Sequence, residues 1–305
     1  GFTSQLSFPA GDAFVISGGL LVLVRIVVWI GRPGKIRARF VRCAIEIAAI
    51  GSIYAISFYA LWAWCYDRAP VTQRVAFDST RVNRQTVDDL RVATIGQLNR
   101  LAPQAHRSRR HPDLRSLQRS VQLVGQTLGN RHDLLLPATK RSLLDWYLSA
   151  TGISGYINPY SAEDIEASDV LWFERPDFAA HEWSHTSGFA REDEANYIAV
   201  LACIRSSDPV IAYSGWQQVF LYLPQPHLTK KTFVKEVWDD FGAMNARNKA
   251  HINVSLSWIQ WHFYNGYLKA NNVRNGTVSY SGFVNLLLGI PRDDSGLPIA
   301  NTVRR

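Results

Sequence analysis

The stretch AAHEWSHTSGFAREDEAN, residues 179–196, gathers the side chains best able to do chemistry together. His181 and His185 stand four residues apart, so on a helix they share one face and both imidazoles can reach one ion. Glu182 follows the first histidine and points about 100° away from it around the helix axis. That places a carboxylate beside a bound ion without making it a ligand, the position of a general base. A catalytic zinc takes three protein ligands and keeps one position for water. The extended pattern HExxHxxGxxH matches at Gly188 but needs a third histidine at position 191, where Arg191 stands. The remaining source is an acid from the next helix, REDEANYIAVLACI, which carries Glu192, Asp193 and Glu194 in its first turn. Glu192 shares a face with Asn196, and the small Ala195 between them permits close packing. Glu192 is therefore the expected third ligand, Glu194 its competitor, and Asp193 a charge serving the helix N-terminus. Asn196 is expected to orient a ligating histidine.

This arrangement predicts hydrolysis in which Glu182 accepts a proton from water and passes it to the leaving group. Tyr213, His262 and Tyr280 are candidate donors to a developing oxyanion, and spacing does not choose among them. Gly155, Tyr156 and Ile157, within ISGYINPY (153–160), form a candidate edge strand for an extended peptide substrate. The histidines at 106, 111, 132, 227 and 251 show no paired spacing and read as surface or core residues.

The motif needs a helix to hold it. Asp177 after Pro176 is the expected N-cap, Gly188 the expected stop, and no proline interrupts residues 178–192. Helical patterning also covers 86–102, 113–129, 141–150, 192–206, 209–223, 231–246, 249–271 and 280–288. Residues 153–160 and 168–174 read as two short strands joined by an acidic turn. The expected fold class is α+β, predominantly helical, with a small antiparallel sheet.

Two apolar stretches precede all of this, about 13–31 and 40–66. The first is broken only by Arg25, and the second carries its charges, Arg42 and Glu46, near its start. Each is long enough for a bilayer core, and Trp62, Trp64 and Tyr66 close the second as an interfacial belt would. Between them GRPGKIRAR has four basic residues and no acid. The positive-inside rule puts this loop in the cytoplasm. Residues 1–67 are thus expected to form a membrane anchor, and 68–305 an extracytoplasmic catalytic domain. The net charge is +8, and a basic knot lies in HRSRRHPDLRSLQR (106–119). It lacks interleaved aromatics, so no nucleic-acid partner is expected. Three isolated cysteines exclude both a disulfide framework and a cysteine zinc cage.

HExxH followed by ExxxN resembles the gluzincin zinc metallopeptidases. The landmarks SGYINPYSAE, FAAHEWSHTSGFAREDEANYIAVLAC, YSG (213–215) and SYSGFVNLLLG (279–289) are similar, in order, to those of a bacterial family of membrane-anchored zinc metallopeptidases catalogued as a domain of unknown function. The resemblance implies a zincin-like fold, with His181, His185 and Glu192 on Zn2+ and Glu182 as base. Trp183 departs from the small or aliphatic residue usual at its position. The expected function is a membrane-anchored zinc metalloendopeptidase with peptide or protein substrates. Two other readings share the motif: a non-catalytic, zinc-stapled membrane sensor or scaffold, and a zinc amidase acting on cell-wall material. Oligomeric state is not legible.

Overall fold

The computed structural model describes residues 6–108, 112–130, 137–224, 228–271, 273 and 281–299. Two antiparallel helices open it, α1 (Ala10–Gly31) and α2 (Ile36–Leu61), joined by a four-residue turn. At 1.5 Å per residue they run about 33 and 39 Å. Both are long and apolar enough to cross a membrane, and only 6% and 0% of their most apolar windows are buried. Core helices would bury most of those residues. The charges gather near the turn, where Arg25, Arg32 and Arg42 surround Glu46 at 3.8–4.0 Å. The second apolar stretch does not remain one helix to residue 66: α2 stops at Leu61, and a 3-10 turn over Ala63–Asp67 follows. Trp62 and Cys65 are buried there against Ala190, so the end of this stretch belongs to the body of the protein.

The body is mainly helical: α3 (Val71–Arg74), α4 (Arg84–Ser108), α5 (Leu114–Thr127), α6 (Asp145–Thr151), α7 (Arg175–Thr186), α8 (Glu192–Ile204), α9 (Pro209–Tyr222), α10 (Lys235–His251), α11 (Val254–Ala270) and α12 (Phe283–Gly289). Alanines on α8, with Tyr197, Ile198 and Leu201, fill the main core between α5, α7, α9 and α12. Gly215 on α9 lets it approach closely: a Cβ there would lie 2.6 Å from that of Cys203. A second cluster joins α4, α9 and α10 around Leu98, Phe220 and Val237.

The sheet corrects two expectations. It is mixed rather than antiparallel: β2 (Gly155–Asn158) pairs antiparallel with β3 (Glu163–Glu166), and β1 (Lys140–Arg141) pairs parallel with β3. The second strand is the acidic segment 163–166, not 168–174. Its carboxylates find partners that make the sheet affordable: Glu163 with Lys140 at 2.7 Å, Glu166 with Arg175 at 2.7 Å, and Asp164 with the Thr186 hydroxyl at 2.8 Å. Residues 168–174 instead turn into α7, and Phe173 is buried beside Tyr213.

Candidate metal centre

Helix α7 presents the motif. Pro176 stands in its first turn, where no backbone donor is lost, so Asp177 lies inside the helix rather than capping it. The helix ends as expected at Gly188, whose φ of +83° is the left-handed conformation glycine favours. This turn sends the chain back along α7 and aims the Phe189 carbonyl at His185, 2.7 Å from Nδ1. That contact puts the proton on Nδ1 and leaves the Nε2 lone pair free. Helix α8 begins four residues later and brings Glu192 against the pair.

Three donor atoms converge. The two Nε2 atoms of His181 and His185 are 3.0 Å apart, and each lies 3.3 Å from Glu192 Oε2. The group forms one wall of a cleft of about 670 Å³ that Glu182 also lines. Tyr264 on α11 donates its hydroxyl to Glu192 Oε1 at 2.6 Å and fixes the carboxylate plane. Burial holds the His181 imidazole below its usual range, and contacts with Glu192 and with the Asn196 carboxamide oppose that only in part.

A family comparison can be set beside this geometry. The family described as "Protein of unknown function (DUF3810)" matches residues 1–288. The chain belongs to that family. No curated protein and no solved structure matches it. Its HExxH helix, glycine turn and acid-headed α8 all lie inside the matched region.

The donor set fits a tetrahedral metal ion. Ligand bonds of about 2.0–2.1 Å at tetrahedral angles separate donor atoms by about 3.3 Å, and the observed spacings are 3.0–3.3 Å. Of the three converging atoms, Glu192 Oε2 is buried without a hydrogen-bond partner. Converging lone pairs repel unless a cation or proton lies between them. Burial opposes charge on His185, but the adjacent Glu192 carboxylate outweighs it and pushes the imidazole up to about 9. Burial likewise opposes ionisation of Glu192, yet the two histidines hold its pKa well below the usual carboxylate range. The cluster thus attracts positive charge, which a divalent ion supplies in place of a proton.

Burial pushes the Glu182 carboxyl well above the ordinary range and nearby Asp164 adds to this, while His185 and the Ile157 backbone N–H partly offset it. Its Oε2 has no partner. Glu194 is turned away from the cluster: it accepts the Val71 N–H at 2.7 Å and approaches Arg74 at 3.5 Å. Gly155, Tyr156 and Ile157 line the cleft on β2, the edge strand. A Cβ at Gly155 would lie 2.1 Å from the Ile165 carbonyl oxygen and 2.2 Å from Phe178, so the glycine is where β2 meets α7 closely.

Neither Tyr213 nor His262 lines the cleft. Tyr213 is fully buried and donates to Asp240 at 2.7 Å, beside His106. His262 is exposed on α11 and stacks on Trp258. Tyr280 lies outside the described residues. Trp183 is buried and donates to the Pro137 carbonyl at 2.9 Å, filling core behind the motif. Sequence reading missed Tyr264 and the three aromatics Phe58, Trp62 and Tyr66, which line the cleft from the end of the hairpin. Only the apolar-aromatic spacing of residues 254–270 hinted at a helix there, and nothing local tied Tyr264 to Glu192, 72 residues away.

Proposed function

We propose that this protein is a membrane-anchored zinc metalloendopeptidase of gluzincin type. The observation that carries the reading is the convergence of His181, His185 and Glu192 in a cleft that the buried carboxyl of Glu182 also lines. The first three residues would hold the ion. Zinc in such a site supplies Lewis acidity and makes water nucleophilic near neutral pH.

The chain's own groups do the rest. Glu182 is the general base: its carboxylate, beside the three converging donors, takes a proton from water and releases it to the leaving amine. Phe189 and Tyr264 lock His185 and Glu192, so the ligands need not reorganise as charge develops. β2 has a sheet neighbour on one side only, and its other edge faces α7 and the cleft. An extended peptide laid along it would pass beside Glu182. The hairpin is read as a two-span anchor with its basic turn in the cytoplasm, which puts the cleft outside.

The test is Glu182→Gln, assayed by mass spectrometry of a mixed-peptide digest with zinc-loaded full-length protein. Wild type should cleave peptides, and the variant should keep its zinc while turnover falls by about 10²–10⁴-fold. Cleavage at the wild-type rate by the variant would remove Glu182 from the chemistry. A zinc-loaded wild type that cleaves no peptide would remove the peptidase reading.

A further inference from the structure

Helix α11 is unusual in this molecule. It has seventeen residues, and Leu268 is the one buried among them. Its inner face, with Gln260, Trp261, Tyr264 and Tyr267, lines the cleft. Its outer face shows Val254, Trp258, Ile259 and Phe263 to solvent, with exposures of 80%, 67%, 44% and 72%. Those positions share one half of the helix with exposed Ser255, His262 and Gly266, and no acid, lysine or arginine interrupts that half before Lys269. Single exposed apolar residues need no explanation, but several large ones on one helix face mark an interaction surface.

Helix α11 is tied through its inner face to the feet of the hairpin. In its N-terminal half Tyr147 on α6 donates to Gln260 at 2.5 Å. The segment leading into α6 is bound to the first turn of α1, where Asp12 accepts from the Leu143 N–H at 2.9 Å and from the Ser142 hydroxyl at 2.8 Å. Leu143 and Trp146 are themselves exposed. In its C-terminal half Tyr267 packs on Phe58 of α2 and on Tyr66. Beside that contact Tyr59, Leu61 and Trp64 are exposed. Large apolar side chains are thus exposed near both feet and on α11, which is bonded to each.

We propose that α11 is a third membrane-contacting element, its outer face resting in the interfacial layer of the bilayer that α1 and α2 span. The occupant is lipid: this face carries Trp258, Phe263, Val254 and Ile259 with no acid, lysine or arginine before Lys269, as interfacial helices do on their buried face, and its helix is bonded to both feet of the hairpin. Because the opposite face of α11 lines the cleft, the cleft lies against the bilayer surface. The inference rests on the membrane-anchor part of the proposed function and is independent of the metal.

The test uses full-length protein in phosphatidylcholine–phosphatidylglycerol vesicles. Cys43, Cys65 and Cys203, all buried, are replaced, and nitroxide labels are placed singly at Trp258→Cys, Phe263→Cys, Ile53→Cys on α2 and Val92→Cys on α4. Power saturation compares each label's contact with oxygen, which partitions into lipid, and with a nickel chelate, which stays in water. Labels at 53, 258 and 263 should favour oxygen, and the label at 92, an exposed site, should favour nickel. Lipid contact at 53 with a water-like signal at 258 and 263 would overturn the inference and leave the anchor standing. Shielding of 258 and 263 from both reagents would mean that protein, such as a second copy of the chain, covers this face, and would also overturn it. A water-like signal at 53 would overturn the anchor and the inference together.

Discussion

Helices α8 and α11 each give the candidate centre one residue, Glu192 and Tyr264, from opposite surroundings. Eleven of the thirteen residues of α8 are buried, whereas α11 buries Leu268 alone. The ligand thus comes from an element the core holds on all sides, and the hydroxyl that fixes its orientation comes from an outer wall. The division makes physical sense. A buried carboxylate is tolerated where its charge is met and its geometry enforced, and here the core around α8 and the Tyr264 hydroxyl do the enforcing.

The contrast predicts a descending series of effects. Leu201→Ala on α8 should lower unfolding free energy by about 2–5 kcal/mol through lost burial and a cavity, read by denaturant unfolding in detergent. Gly155→Ala, where β2 meets α7, should cost about 1–3 kcal/mol by overpacking against Phe178 and the Ile165 carbonyl. Tyr264→Phe should leave the unfolding midpoint in place but weaken zinc binding by about 10–100-fold, as loss of a ligand's hydrogen-bond partner does; competition with a chelator measures it. Ile259→Ala on α11 should shift stability by no more than about 0.5 kcal/mol in detergent. A loss at Ile259 equal to that at Leu201 would break the comparison, because it would show that α11 is packed in the protein's interior.

The inner half of the site was more legible from sequence than the outer half. His181, Glu182, His185 and Glu192 lie within twelve residues, and helical spacing with a glycine stop is enough to fold them together. The choice of Glu192 over Glu194 follows the face shared with Asn196, and the structure places Glu194 against Val71 and Arg74 instead. Tyr264, Trp62 and Phe58 reach the cleft by long-range packing, which no local pattern encodes. The β-strand at 163–166 was hidden for a related reason. Three acids in four residues disfavour a strand, and only distant partners, Lys140, Arg175 and Thr186, offset that preference. Tyr213 read as a possible oxyanion donor because a tyrosine's role depends on what its hydroxyl meets, here Asp240.

The central claim is that His181, His185 and Glu192 form a three-residue metal centre, and zinc content measures it most directly. Full-length wild type, His185→Ala, Glu192→Ala and Glu194→Ala would be purified, loaded with zinc, desalted and assayed by elemental analysis. The expected result is one zinc per chain in wild type and in Glu194→Ala, and almost none in the other two. Zinc retained by Glu192→Ala, or absent from loaded wild type, would contradict the account.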